Sequence, residues 1–89
     1  MNVCKVRTHL ERFLFQPLLD LRVNGKQVAD DFYYDVWLQV DSGRATGPLD
    51  VRLTYSEKFV ASLPVFDLAD FICRDASEAI HLTMTGELA

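Results

Sequence analysis

The chain has 89 residues and a mass of 10.2 kDa, so we expect residues 1–89 to form a single domain with one core. Hydrophobic residues make up 49% and charged residues 25%, which is typical of folded proteins and excludes disordered and low-complexity classes. Apolar runs are short and charges occur throughout the N-terminal segment, so we expect neither a membrane span nor a secretory signal.

Two structures fit the N-terminal segment. Thr8-His9-Leu10-Glu11 matches a capping box, which predicts a helix that Pro17 ends after about two turns. The same segment also fits a strand from Val3 to Phe15 that bends at Pro17. The sequence leaves both alternatives open.

The next segment carries a local hairpin signal. Asn24-Gly25 separates two alternating stretches, and Asn-Gly is the preferred pair for a two-residue hairpin loop. A turn there would place Val23 opposite Lys26 and bring Leu21 and Val28 onto one buried face.

Two longer segments alternate between apolar and polar residues. In the first, Tyr34, Val36, Leu38 and Val40 point to one side. The second runs from Leu49 to Tyr55, and residues 41–48 between the segments have the composition of a loop. We expect these segments to be antiparallel neighbours.

The C-terminal part fits a short helix over residues 67–76, capped by Asp67, that leads into a final strand over 79–85. One continuous helix is the alternative, and Thr83 and Thr85 count against it. The predicted fold is therefore α+β: a small antiparallel sheet of four to five strands with one or two short helices packed on one face. The predicted core consists of Leu19, Leu21, Val28, Tyr34, Val36, Leu38, Val40, Leu49, Val51, Leu53, Leu68, Phe71 and Ile72.

The cysteines favour a reducing compartment. A secreted domain of this size usually carries several disulfides, whereas Cys4 and Cys73 lie near opposite ends of the chain. We expect two buried free thiols and a cytoplasmic protein. A zinc site built from both cysteines with His9 and His81 lacks the closely spaced ligand pairs of structural zinc sites, so we expect no metal and no cofactor.

Catalytic motifs are absent from the sequence. His9 and His81 are the side chains that titrate near neutrality when unperturbed, and neither lies in a recognisable motif. The carboxylates of Asp30, Asp31 and Asp35 lie close to two tyrosines, but a solvated turn and an exposed strand residue explain them equally well. We expect no catalytic residues.

Charge is unevenly distributed along the chain. Residues 1–26 carry five basic and two acidic side chains, a net of +3, whereas residues 27–89 carry four basic and eleven acidic ones, a net of −7. The overall charge of −4 disfavours direct nucleic-acid binding, which needs a basic face, and favours a protein partner with a basic surface.

One polar strand face carries aromatic residues and is the candidate binding surface. A Trp and a Tyr among carboxylates, with an Arg beside them, are typical of a protein-binding patch. Two alternatives are that another segment covers this face, making the Trp part of the core, and that a homodimer buries it. The candidate residues are Tyr33, Asp35, Trp37, Gln39 and Asp41, with Asp50, Arg52 and Thr54 on the neighbouring strand.

These features predict a non-catalytic protein-binding module, a small acidic inhibitor or modulator of a larger partner that handles nucleic acid. Inhibitors carried by phages or mobile elements, including anti-CRISPR-type proteins, are one class of comparable size and charge. The first alternative is a structural or accessory subunit that homo-oligomerises through its sheet. The second is a small enzyme with a site between subunits.

Overall fold

The computed structural model describes residues 1–43, 45 and 47–88, with side chains as far as residue 85. The elements follow the order α1 (Val3–Phe13), β1 (Leu18–Val28), β2 (Asp31–Val40), β3 (Leu49–Ser56), α2 (Glu57–Ala61) and α3 (Val65–Leu88). The strands form an antiparallel sheet in the order β1-β2-β3, and the helices pack on one face of it. The α+β class is confirmed, but the described residues form three strands and not four or five.

The N-terminal segment forms helix α1, so the strand alternative is wrong. Asn2 is the N-cap, because its side chain accepts a hydrogen bond from the Lys5 amide at 3.1 Å. Thr8 lies inside the helix and donates to the Cys4 carbonyl, so the capping box predicted at Thr8 is also wrong. The helix ends at Phe13, before Pro17.

The hairpin turn lies at Ala29-Asp30, so the turn predicted at Asn24-Gly25 is wrong. Strand β1 continues through both residues, and Gly25 pairs with Tyr34 of β2. Because β1 pairs along the whole of β2, the two strands form more cross-strand pairs than a turn at Asn24 would allow. The additional pairs outweigh the local turn preference of Asn24-Gly25. Gly25 serves a different purpose, since a Cβ there would collide with the Phe32 ring.

The predicted pairing of β2 with β3 is confirmed. Leu38 pairs with Val51, and Val36 pairs with Leu53, so their side chains share the face that packs against the helices. Leu38 is fully buried at the centre of that face.

The outer edge of β1 is irregular and covered near its start. The register shifts between Leu18 and Asp20, which marks a bulge. The Leu21 amide donates to the Asp20 carboxylate at 2.8 Å, and the Leu21 carbonyl accepts from the Arg7 guanidinium of α1 at 3.1 Å. Side-chain hydrogen bonds thus satisfy both the amide and the carbonyl of Leu21.

Helix α3 runs without interruption for 24 residues, so the final strand predicted over 79–85 is wrong. Ile72, Ala76 and Ile80 lie four residues apart and are all buried, which anchors the helix along one stripe. The hydroxyl of Thr83 donates to the Ala79 carbonyl at 2.8 Å, so this β-branched residue is accommodated in the helix.

The core lies between the sheet and the helices. Three residues of the predicted core are largely outside it: Leu19 and Val28 are each 51% exposed and Phe71 is 39% exposed. Leu19 lies at the bulge and Val28 at the hairpin end, where the alternation no longer points inward. No helix in the described part of the chain is long and apolar enough to cross a membrane. The buried residues are Val6, Leu10, Leu14, Leu21, Val36, Leu38, Val40, Val51, Tyr55, Val60, Leu68, Ala69, Ile72, Cys73, Ala76 and Ile80.

Candidate protein-binding face

The sheet face opposite the helices, called the open face below, displays the polar side chains of all three strands. None of the described helices covers it, so Trp37 is not part of the core and remains partly exposed. The strand pairing brings side chains from β1, β2 and β3 together on this face. They include Asp20, Arg22, Asn24, Lys26, Asp31, Tyr33, Asp35, Trp37, Gln39, Asp50, Arg52 and Thr54.

Trp37 lies at the centre of the open face between two arginines. Arg22 of β1 and Arg52 of β3 are its direct cross-strand neighbours. The Arg22 guanidinium lies over the Trp37 ring at 5.2 Å and forms an ion pair with Asp20 at 3.3 Å. In the part of the chain that the structure describes, the Arg52 guanidinium has no hydrogen bond or ion pair.

Two further carboxylates on the open face are held by neighbouring strands. Asp35 lies 3.6 Å from the Lys26 ammonium and accepts a hydrogen bond from the Thr54 hydroxyl at 3.0 Å. Asp50 accepts a hydrogen bond from the Gln39 amide at 3.1 Å. These contacts link all three strands and fix the side chains around Trp37, which lowers the ordering cost of binding.

The open face is concave around Trp37. An open depression of about 610 Å3 lies there, with a lining that combines cationic, anionic, amide and aromatic groups. Its lining residues are Arg22, Asn24, Lys26, Asp35, Val36, Trp37, Asp50, Arg52, Leu53 and Thr54.

The open face is close to electrically neutral. Its four carboxylates, on Asp20, Asp31, Asp35 and Asp50, are opposed by the cations of Arg22, Lys26 and Arg52. Most of the acidic excess lies elsewhere, at exposed positions of the helices, the hairpin tip and the loop after β2. These positions include Asp30, Asp41, Glu57, Asp67, Asp70 and Glu78.

Seven of the eight residues predicted as the binding site lie on β2 or β3 with their side chains on the open face: Tyr33, Asp35, Trp37, Gln39, Asp50, Arg52 and Thr54. The eighth, Asp41, lies beyond the end of β2, where its carboxylate accepts a hydrogen bond from the Gly43 amide at 2.9 Å. Asp41 therefore stabilises the following turn.

Sequence reasoning missed the contribution of β1. Arg22, Asn24 and Lys26 were assigned to a separate hairpin, although they form one side of the depression. The alternation of Leu21, Val23 and Gly25 on one side with these polar residues on the other was the available signal.

The four residues considered for zinc behave as separate side chains. Cys4 is exposed, which corrects the expectation of two buried thiols, and Cys73 is buried. Burial raises the pKa of the Cys73 thiol. The His9 ring packs against the Phe13 ring in a tilted arrangement with centroids 4.6 Å apart, and its Nε2 lies 3.9 Å from the Asp70 carboxylate. Within the described ranges, His, Cys, Asp and Glu form no cluster of three that could hold a metal ion.

Two other titratable side chains, His81 and Tyr55, lie outside the open face. His81 lines an open groove with Phe15 and Met84, and that lining contains no carboxylate. On the helical side of the sheet, the Tyr55 hydroxyl donates to the Asp75 carboxylate at 2.7 Å. Burial is the main cause that raises the pKa of Tyr55, and the bond to Asp75 raises it further.

Comparison with known proteins assigns no family: no family model matches the sequence, and neither the curated proteins nor the solved structures provide a match.

Proposed function

We propose that this chain is a non-catalytic protein-binding module that docks a larger protein through the open face. The observation that carries the proposal is Trp37, partly exposed between Arg22 and Arg52 at the centre of a concave face that no described helix covers. Trp, Tyr and Arg are the residues in which interface binding energy is most often concentrated, at the centre of a contact.

The charge arrangement supports a protein partner over a nucleic acid. A nucleic-acid surface requires an excess of cations to displace counterions from phosphates, whereas the open face has four carboxylates and three cations. Ordered charges of both signs instead provide the complementarity that selects one protein partner over another.

Acidic side chains on the helices support the more specific proposal that the chain is an inhibitor or modulator. Once the open face is docked, the carboxylates of Glu57, Asp67 and Glu78 remain outside the sheet contact. A partner with a basic surface around the docking site would be attracted by these charges, and a basic surface is what a nucleic-acid-handling protein presents.

Affinity capture with matched variants tests the proposal. Immobilised wild-type protein, Trp37→Ala, Asp35→Lys and the control Phe15→Ala are exposed to the same native lysate. Phe15 is 94% exposed and lies off the open face, so its replacement removes an exposed aromatic ring elsewhere. We expect one protein to be retained by wild type and Phe15→Ala and lost from both open-face variants. Equal retention by a folded Trp37→Ala variant contradicts the proposal.

A fluorescence titration separates the two classes of ligand. Trp37 is the single tryptophan of the chain, so its emission reports directly on the open face. We expect no change on adding single-stranded oligonucleotides at low salt. Quenching that disappears as salt is raised would assign the face to nucleic acid instead.

A further inference from the structure

The two outer edges of the sheet differ in whether side chains cover them. At the β1 edge, Arg7 and Asp20 occupy the carbonyl and amide of Leu21, beside the bulge. Among the described residues, no side chain forms a hydrogen bond with the outer backbone groups of β3. An uncovered edge strand presents unpaired amides and carbonyls to another strand.

The register shows which β3 residues present these groups. The Leu21 amide points away from β2, where it donates to Asp20. Leu21 and its partner Leu38 therefore form a pair without hydrogen bonds between them. The backbone amide and carbonyl of Leu38 must then point toward β3. Val51, opposite Leu38, therefore bonds toward β2. Bonding direction alternates along a strand, so the backbone groups of Asp50 and Arg52 point to the free edge.

We propose that β3 pairs antiparallel with β3 of a second copy of this chain, about a two-fold axis at Val51. Asp50 then lies opposite the partner's Arg52, and Arg52 lies opposite the partner's Asp50. Each pair exchanges two backbone hydrogen bonds, and the side chains, about 5 Å apart at Cβ, form an ion pair. This arrangement supplies the carboxylate that Arg52 lacks within its own chain.

The charge pattern selects this register over its neighbours. A two-fold axis at Arg52 would place the two arginines directly opposite each other, which is repulsive. An axis at Leu53 would leave the charges of Asp50 and Arg52 unmatched. With the axis at Val51, the apolar side is also matched, since Leu49 meets the partner's Leu53 and Val51 meets the partner's Val51. In this register each residue pairs with one whose side chain lies on the same face of the sheet. The apolar faces of the two copies are therefore continuous, and so are their open faces.

The resulting dimer has a continuous six-stranded sheet, with both sets of helices on one side and two open faces on the other. This inference concerns the backbone edge of β3 and does not depend on the proposed function, although the side chains of Asp50 and Arg52 also line the depression around Trp37. It identifies the occupant of that edge as a second copy of the chain.

Charge exchange tests the pairing directly. We expect wild type to reach twice the 10.2 kDa chain mass in light scattering as the protein concentration is raised over about two decades. Asp50→Arg alone and Arg52→Asp alone place like charges opposite each other, so each variant should remain a monomer. An equimolar mixture of the two variants should form a heterodimer, because opposite charges again face each other across the axis at both pairs. The double variant carrying both changes in one chain should dimerise like wild type.

The outcomes are decisive because the mixture and the double variant contain the same substitutions as the monomers. A wild type that stays monomeric, or an Asp50→Arg variant that still dimerises, overturns the pairing. So does a folded mixture, verified by circular dichroism, that fails to associate. Trp37→Ala should leave the dimer intact while abolishing partner capture, so failure of this inference is distinguishable from failure of the proposed function.

Discussion

Replacing Gly25 with alanine tests the corrected hairpin register. In the structure Gly25 lies in the extended strand β1, and the ring of Phe32 occupies the space that a Cβ would need. The Phe32 ring also makes an edge contact with Tyr34, with centroids 5.3 Å apart. A methyl group at position 25 must therefore displace the partly exposed Phe32 ring and weaken its contact with Tyr34.

Two opposing contributions set the magnitude of the change in unfolding free energy. Alanine is favoured over glycine inside a strand by about 0.5–1 kcal/mol. Displacing Phe32 costs about 1–3 kcal/mol as overpacking, including the loss of its contact with Tyr34. We expect Gly25→Ala to destabilise the wild type by up to about 2.5 kcal/mol. In a Phe32→Ala background the collision is absent, and Gly25→Ala should stabilise by about 0.5–1 kcal/mol.

Urea unfolding of the four proteins in this double-mutant cycle is followed by Trp37 fluorescence. It measures whether the effect of Gly25→Ala on the unfolding free energy changes sign between the two backgrounds. The expected coupling between positions 25 and 32 is about 1–3 kcal/mol. Destabilisation of equal size in both backgrounds would refute the reasoning, because it indicates a glycine required for positive φ in a turn.

Three further predictions concern packing and ionisation. Leu38→Ala should cost about 2–5 kcal/mol in urea unfolding, whereas Leu19→Ala, at the exposed bulge, should cost less than about 1 kcal/mol; similar values for both would contradict the assigned core. Tyr55→Phe should lose about 1 kcal/mol near neutrality by removing one hydrogen bond. The pKa of Tyr55 is raised on folding above its ordinary value of 10.0, so this stabilisation is complete below that pH and is lost as pH rises above it. Unfolding experiments across alkaline pH should show wild type converging on Tyr55→Phe, and a constant difference would argue against the buried phenol. A thiol reagent should modify Cys4 rapidly and Cys73 only after unfolding, since Cys73 is buried with a raised thiol pKa; equal rates would contradict the packing of α3.

The parts of the fold that the sequence predicted are those where pattern and packing agree. Strands β2 and β3 alternate strictly, so Leu38 and Val51 were placed on the buried side and paired correctly. The end of α3 could not be decided locally, because Ile80 fits a strand alternation and also continues the four-residue spacing from Ile72 and Ala76. Packing of α3 along α1 favours the helix, and that contact is invisible in the local pattern.

The β2 and β3 part of the candidate site was predicted and the β1 part was not, for a related reason. The residues on β2 and β3 followed from alternation, whereas Arg22, Asn24 and Lys26 were lost because the Asn24-Gly25 pair was taken as a turn. Turn propensity is a local preference, and a ladder along all of β2 outweighs it. The near neutrality of the open face was also not predictable from the sequence, since it depends on which strands lie side by side.

The covered start of β1 also bears on how large an assembly of the proposed dimers could become. A sheet whose two edges both accept further strands can add copies without end and grow into a fibre. In the proposed six-stranded sheet both outer strands are β1, and near the start of each the Arg7 and Asp20 side chains, together with the bulge, occupy backbone groups that a further strand would need. Two hydrogen bonds at Leu21 thereby oppose the growth of a dimer into a polymer at that part of the edge.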